Sequence, residues 1–421
     1  MPGQGALAPH AVWTGKGVQA QVNTIDINNE DVVSHFNPEI EQSKVLLYGS
    51  NITEILPQTS KSGFDTNQTF VVSQDIDALG DVYIEMEFQT TNTLINVGEF
   101  ALHRTLDKVE FKIGNTTWQT LEHSDIYALL LTKLNSSEYS GVRSITNPDT
   151  GETNYGSGIK PVLKSGKNLI TFPLPIFTMD GGAQRAHLIA GSSNQSITIK
   201  ITYRRPTELI GTDVKLSGVR LYARQYILSN KERTEIKSND IVKSIHLSQS
   251  TIKNDTAEVN SNNSKVITVV LDHFSLLASH LLITMESDSG DAFVETTNSI
   301  NPNILSASLK LNNSDHSSPL TGQFMKNLAA KSMGLHNNSE FSNITLVAAT
   351  PPAGNVHFRR DVYVFPIASK PYGSDGCPLN RFDSVKLNLN VVNFPGRVNV
   401  TAVGITSALY SKGKASLLYF S

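Results

Sequence analysis

A single cysteine, Cys377, stands in 421 residues. No disulfide can form within the chain, so its fold rests on burial and hydrogen bonding, as expected of synthesis in a reducing compartment. Tryptophan is nearly as scarce. Trp13 and Trp118 are the only two, too few and too far apart for the exposed aromatic platform of a sugar-binding surface. No apolar stretch approaches the ~18 residues of a membrane span, and the first residues lack the charged start and apolar core of a secretory signal, so the chain reads as soluble. Neither charge is in surplus, with 35 Lys and Arg against 38 Asp and Glu. Without a basic block the electrostatic footprint of nucleic-acid binding is missing, and no direct nucleic-acid partner is expected. The pairs Arg204-Arg205 and Arg359-Arg360 read as solvated strand ends.

Catalytic constellations are absent as well. The histidines are scattered: His273 and His280 lie seven apart on a loop and its strand, with nothing like a paired His-x-His plus Glu set for a metal. Cys377 lies in the turn-rich run Gly376-Cys377-Pro378 with no identifiable histidine base and reads as an unreactive loop thiol. Gly156-Ser157-Gly158 lacks the strand-to-helix setting of a nucleophile elbow, and Gly181-Gly182 opens no phosphate-cradling helix. Asp81, Glu85 and Glu87 fall on the polar face of a strand, where solvation accounts for them. The expectation is therefore no enzyme, no catalytic, cofactor-binding or metal-binding residue and no cofactor. Eleven Asn-x-Ser/Thr triplets occur, Asn51, Asn115, Asn254, Asn343 and Asn399 among them. In a chain this rich in Asn, Ser and Thr, without an export signal, they read as products of composition.

What is present is a repeat. Apolar runs centred on Leu46, Phe70, Val82, Phe111, Ile126, Phe172, Ile199 and Leu221 find counterparts, in order, at Ile245, Val269, Leu281, Leu309, Met325, Phe365, Leu387 and Ile405. Most of these runs alternate as half-buried strands do: Val82, Ile84, Met86 and Phe88; Val109, Phe111 and Ile113; Ile197, Ile199, Ile201 and Tyr203; Val385, Leu387, Leu389 and Val391. The continuous run Val266 to Leu271 reads as a strand covered on both faces. One helix is expected in each half, over Leu121 to Leu134 and around Phe324 to Ala329, the second closing at a Gly334 C-cap. Phe172-Pro173-Leu174 and Phe365-Pro366-Ile367 share a proline that cannot donate to a ladder, so both belong at a strand end, an edge or a bulge.

Two β units thus follow, each long enough to bury its own core. The stretch from Ser229 to Asp240 is polar and charged with little to bury, and marks a linker at 229–240 between a first unit, 41–228, and a second, 241–421, behind an N-terminal arm at 1–40. The long interruptions Asn135 to Lys167 and Asn312 to Arg360 fall at matching points of the repeat and read as surface crowns.

Particular segments carry a resemblance. Asp77-Ala78-Leu79-Gly80-Asp81-Val82-Tyr83-Ile84, the strand ending in Ile113-Gly114 with its following helix, and Leu169-Ile170-Thr171-Phe172-Pro173-Leu174-Pro175-Ile176-Phe177 resemble the first barrel of double jelly-roll major capsid proteins of large eukaryotic double-stranded DNA viruses, the adenovirus-like capsid lineage. Phe365-Pro366-Ile367-Ala368, Gly373-Ser374 and Leu379-Asn380-Arg381-Phe382-Asp383-Ser384-Val385 resemble the second barrel, with its Asn-x-x-Arg-x-Asp-like signature compressed. The resemblance covers about residues 40 to 421.

It implies an all-β fold of two tandem eight-stranded jelly-roll β-sandwiches, each with a short inserted helix. It further implies a structural protein of an icosahedral virus shell, assembling as pseudo-hexagonal homotrimeric capsomers in the host cytoplasm and residing in the virion. The implied partners are neighbouring capsomers, minor capsid proteins and an inner membrane layer where one exists. The arm from Met1 to Gly17 is expected to order on such a neighbour. A tandem glycan-binding β-sandwich at a cell surface is the rival reading; it accounts for the triplets and the two β units but not for the missing export signal.

Overall fold

The structure, a computed structural model, describes residues 47–418 apart from 59–61, 97–101, 143, 155–161, 180–185, 206–212, 256–263, 288–293, 296–302, 337–343, 348–354, 359–361, 373–374 and 393–395. The arm at 1–40 with Trp13, Gly156-Ser157-Gly158, Gly181-Gly182, Arg359-Arg360 and Gly373-Ser374 lie outside the described residues.

The framework of the first unit runs β1 (Leu47–Ile55), β2 (Asn67–Val72), β3 (Ala78–Asn96), β4 (Leu106–Ile113), β5 (Thr116–Glu122), helix α1 (His123–Lys133), β6 (Val162–Pro173), β7 (Ile197–Tyr203) and β8 (Lys215–Leu228). After helix α2 (Asn230–Ser238) the second unit runs β9 (Ile241–Asn254), β10 (Ser264–Val270), β11 (Leu277–Ser287), β12 (Asn303–Leu311), β13 (Ser314–Asp315), helix α3 (Gly322–Asn327), β14 (Tyr363–Pro366), β15 (Val385–Val392) and β16 (Gly396–Ser411), with β17 (Lys414–Leu418) added beside β16. The sheets contain the orders β1-β8-β3-β6 and β2-β7-β4-β5 in the first unit, β9-β16-β11-β14 and β10-β15-β12-β13 in the second. Adding eight to every label turns one pair of sheets into the other. The expected all-β double jelly roll is what forms, two antiparallel sandwiches of one topology.

Alternation in the sequence decides which faces meet. Val82, Ile84, Met86 and Phe88 on β3, and Ile197, Ile199, Ile201 and Tyr203 on β7, are all buried; burying each such side chain contributes about 1.5–3 kcal/mol. One row runs across each inner sheet: Phe70 lies opposite Ile199 and Ile199 opposite Phe111, while Val269 lies opposite Leu387 and Leu387 opposite Leu309. Six of the repeat's anchors therefore occupy equivalent sites in three dimensions.

In the other sheets two anchor pairs slip. Val82 lies opposite Ala223 and Leu281 opposite Ala402. The site of Leu221, opposite Ile84, is therefore filled in the second unit by Val400, opposite Ile283, and not by Ile405. Phe172 lies opposite Ile84 whereas Phe365 lies opposite Leu281, a slip of two residues. A shift of two keeps the same face inward, and the irregularity between Ala278 and His280 changes the count along the strand, so a face pattern alone cannot fix register. Pro173 and Pro366 both end their strands, as their missing donors require.

Several local expectations are corrected. Leu121 belongs to β5, and α1 starts two residues later, where the Glu122 backbone amide donates to Asp125 Oδ2 at 2.9 Å in a capping box. Helix α3 is interrupted at Leu328 before a second turn, Ala329–Ser332, and Gly334 at φ +73° closes it as expected. The run Val266 to Leu271 is covered on one face only: Ile267 and Val269 are buried while Val266 is 65% exposed. The linker is not an unburied tether. Ser229 and Glu232 cap α2 reciprocally, Ile236 is buried, and the Arg233 guanidinium grips Asp77 with bonds of 2.6 and 2.7 Å.

Each unit buries its own facing rows, and the buried apolar residues also continue from one sandwich into the other. Helix α1 explains this. Every residue from His123 to Thr132 is buried, since the helix rests on its own unit on one side and on β11 and β16 of the second unit on the other.

Candidate functional site

The feature that distinguishes this molecule from two beads on a string is the seam between its sandwiches. There the β5–α1 end of the first unit meets the outer face of β9, β16 and β11. Outer-face positions of a sheet are ordinarily wet, so their polar side chains must find partners once covered.

Asp125 is the hub. Fully buried in the first turn of α1, it accepts at Oδ1 from Thr401 Oγ1 (2.6 Å) and Asn399 Nδ2 (2.7 Å), and at Oδ2 from Ser250 Oγ (2.7 Å) and the Glu122 amide. Four donors on one side chain suit a carboxylate, which only accepts. Asn399 also donates to Ser124 Oγ at 2.9 Å, and Gln119 donates to Ser248 Oγ at 2.8 Å while its carbonyl takes the Phe177 amide.

A charged cluster lies beside this network. Glu286, at the end of β11, sits 3.1 Å from His123 Nε2, 3.5 Å from Arg104 and 3.7 Å from Arg397. Burial alone would raise the Glu286 carboxyl, but His123 and the two arginines outweigh it and hold it at about 2. Burial, joined by the charges of Arg204 and Arg104, lowers the pKa of His123 against the pull of Glu286. The ionised carboxylate accepts from the imidazole at Nε2.

At the other end of the seam Tyr410 meets His187 Nδ1 at 2.9 Å, and His187 Nε2 meets Ser192 Oγ at 3.2 Å. Burial, with a smaller contribution from the charge of Lys243, lowers His187 to about 3. Lys243 is itself buried, lowered to about 7, and donates to the Ala186 carbonyl across the seam.

In an open cleft a His–Glu pair or a Tyr–His–Ser chain could move protons. Here His123, Glu286, His187, Ser192 and Tyr410 are all buried, so a substrate cannot reach them and their bonds serve to fix one sandwich against the other. The groups weighed from the sequence do not converge either. Cys377 is buried beside Ala278, and burial raises its thiol pKa. His273 is half exposed, whereas His280 is buried against Ser279 Oγ at 2.9 Å and lowered by burial to about 3. Asp81, Glu85 and Glu87 face Arg224, Arg220 and Lys167 at 3.7, 3.6 and 3.7 Å on the outer face of the first sheet. Arg204 and Arg205 do follow the end of β7, yet they are engaged, Arg204 with the Arg104 carbonyl at 3.1 Å and Arg205 over the Phe64 ring at 4.4 Å. No group of three or more His, Cys, Asp or Glu among the described residues could hold a metal.

Trp118 is buried, edge-on to His187, and offers no surface for a sugar. Asn399 is buried as well, so that triplet cannot carry a glycan in this fold. Sequence reasoning did not find Asp125, Glu286, Asn399 or Thr401. Their signal was weak: polar residues at alternate positions of a strand look the same whether the face meets water or a second domain.

No family model matches this chain, and no curated protein does. Solved structures do. VP54 of PBCV-1, fitted into a reconstruction of the virophage Sputnik, matches at 14% identity with a TM-score of 0.68, covering 89% of this chain and 97% of that one. The Faustovirus major capsid protein matches at 8% identity and a TM-score of 0.59, covering 97% and 98%. The Sputnik virophage structure matches at 12% identity and 0.56, covering 94% and 92%. Agreement over nearly the whole of each chain, at identities this low, is agreement of architecture. The chain has the double jelly-roll fold that these viral capsid proteins share.

Proposed function

We propose that this chain is the major shell subunit of an icosahedral virus, a building block and not a catalyst, three copies of which form a pseudo-hexagonal capsomer. The observation that carries the reading is the pairing of two sandwiches of one topology, locked side by side by a buried seam. Two such units per chain, closed by threefold symmetry, present six similar sides, the shape that tiles a shell. Side-by-side sandwiches also cover sheet edges that would otherwise recruit other chains. Near-complete coverage of capsid proteins in both directions supports the same reading.

In this reading residues 1–40 form an arm that orders on a neighbouring capsomer, a minor capsid protein or an inner membrane layer; 41–228 and 241–421 are the two sandwiches, and 229–240 joins them. The crowns around Asn135 to Lys167 and Asn312 to Arg360 face outward. The protein assembles in the host cytoplasm and resides in the virion. Mass measurement in solution tests the core of this: a particle of three 45.9 kDa chains is expected, and negative-stain images of hexagonal plates of uniform width. A monomer that binds sugar would overturn it in favour of a glycan-binding sandwich.

A further inference from the structure

The sheets β2-β7-β4-β5 and β10-β15-β12-β13 end at equivalent strands, β2 and β10, but the two borders are finished differently. In the first unit Pro57 bridges to Phe70 and the Gln58 amide donates to the Thr69 carbonyl at 2.8 Å, so the chain closes its own border. With Phe70 equated to Val269, the counterpart of Thr69 is Thr268. Among the described residues no backbone group reaches Thr268 from outside the sheet.

Pairing shows which groups are left facing out. The Leu271 amide donates to the Val385 carbonyl at 2.9 Å, and Val270, Thr268 and Val266 lie opposite Lys386, Asn388 and Asn390. Bonding in an antiparallel ladder alternates residue by residue, so Val269 and Ile267 follow Leu271 in bonding to β15. The amides and carbonyls of Val266, Thr268 and Val270 therefore point away from it. The side chains of the same three residues stand on the solvent side of the sheet, Val266 65% and Val270 47% exposed.

Sheet borders are ordinarily guarded by proline, charge or a bulge. Strand β10 has no proline and pairs without a bulge, and its one charged residue, Lys265, is drawn to Asp255 at 3.3 Å. A border of this composition recruits another strand.

We propose that β10 pairs with β10 of a second copy, antiparallel about a twofold axis at Thr268, so that two sheets become one. The strand's own sequence selects this occupant. Val266-Ile267-Thr268-Val269-Val270 has the same character read from either end, so Thr268 meets Thr268 of the other copy and Val266 meets its Val270, β-branched against β-branched. Each of these pairs can exchange both of its backbone bonds. A slip of two residues would set Val266 against Thr268 and Val270 against Ser264, replacing matched pairs by mixed ones. A twofold contact is self-complementary, and it differs from closure of a threefold ring: it goes beyond the capsomer reading by linking one capsomer to the next.

The test uses the full chain and its variants at position 268, with circular dichroism melting to confirm folding. Thr268→Pro removes an outward amide and spares the bonds to β15. Solution mass at rising concentration is expected to show pairs of capsomers for the parent and single capsomers for Thr268→Pro. Mild oxidation of Thr268→Cys is expected to link two chains, since directly opposed bonded residues stand about 5.5 Å apart between Cα atoms, within disulfide reach. Val266→Cys and Val270→Cys should link when mixed and not when oxidised separately; the parent, whose Cys377 is buried, should stay unlinked. Pairing that persists in Thr268→Pro, or links between Val266→Cys and Thr268→Cys in place of those predicted, would overturn the inference. Single capsomers in the parent with no linked chains would also overturn it while leaving the capsomer reading intact. Single chains that pair and link through Thr268→Cys would do the reverse, upholding the twofold contact and sinking the capsomer.

Discussion

Asp125 and Thr401, 276 residues apart, are joined by a hydrogen bond of 2.6 Å. The bond is one of several that join two sandwiches of repeated topology across the buried seam.

Removing this hub is the most direct assault on the seam. Asp125→Ala leaves the Thr401 hydroxyl and the Asn399 amide without this acceptor in a dry site, at a cost of about 1–3 kcal/mol for each donor left unsatisfied, while half-buried Ser250 can turn to water. Denaturant unfolding of the purified variant is expected to lose about 3 kcal/mol or more. A loss below about 1 kcal/mol would mean that water enters the seam freely.

Acid acts on Glu286. Its folded-state pKa, about 2, lies below its ordinary value of 4.5, so its ionised form stabilises the fold by about 3 kcal/mol above pH 5, and that contribution drains away as the pH falls from about 4.5 towards 2. Glu286→Gln removes it. The stability gap between parent and variant is expected to be widest above pH 5 and to shrink towards pH 2, as read by urea midpoints across that range; a gap independent of pH would show that the cluster does not depend on this charge.

Lys243 has the opposite sign. Burial depresses its pKa from 10.5 to about 7. Charging it therefore costs the folded state more than the unfolded one, a penalty complete below about pH 7 and gone above about 10.5. Lys243→Met is expected to be more stable than the parent at pH 6. Above pH 10.5 the order reverses, because the Ala186 carbonyl has lost its donor, worth about 1 kcal/mol. Thermal melts at the two pH values decide it.

Gly322 opens α3 against β12, where an added Cβ would stand 1.6 Å from the Ile304 carbonyl oxygen. Gly322→Ala must push the helix off the strand, at a cost of about 1–3 kcal/mol or more, and it displaces Phe324 and Leu328 with it. Calorimetry gives the loss. An unchanged melting temperature would place α3 elsewhere.

How much of this could be read from residues alone depends on what each pattern encodes. Val82 to Phe88 and Ile197 to Tyr203 announced strands and their buried faces, and the order of elements gave both sandwiches. Register was less legible: Leu221 and Ile405 belong to equivalent strands but not to equivalent sites, because a period of two repeats identically after every pair of residues. The seam was nearly invisible. Asn399 and Thr401 alternate with Val398, Val400 and Ala402, the pattern of a strand facing water, and nothing near them in sequence says that Asp125 will cover them. The burial of α1 on all sides was hidden for the same reason, since part of its cover, β11 and β16, lies more than a hundred residues downstream.

That dependence of α1 on β11 and β16 sets an order on biosynthesis. While the second sandwich is still being translated, the completed first one exposes part of α1, with Asp125 held by the Glu122 amide alone of its four donors. Until residue 411 has emerged, the nascent polypeptide carries an apolar flank with no partner strand to cover it.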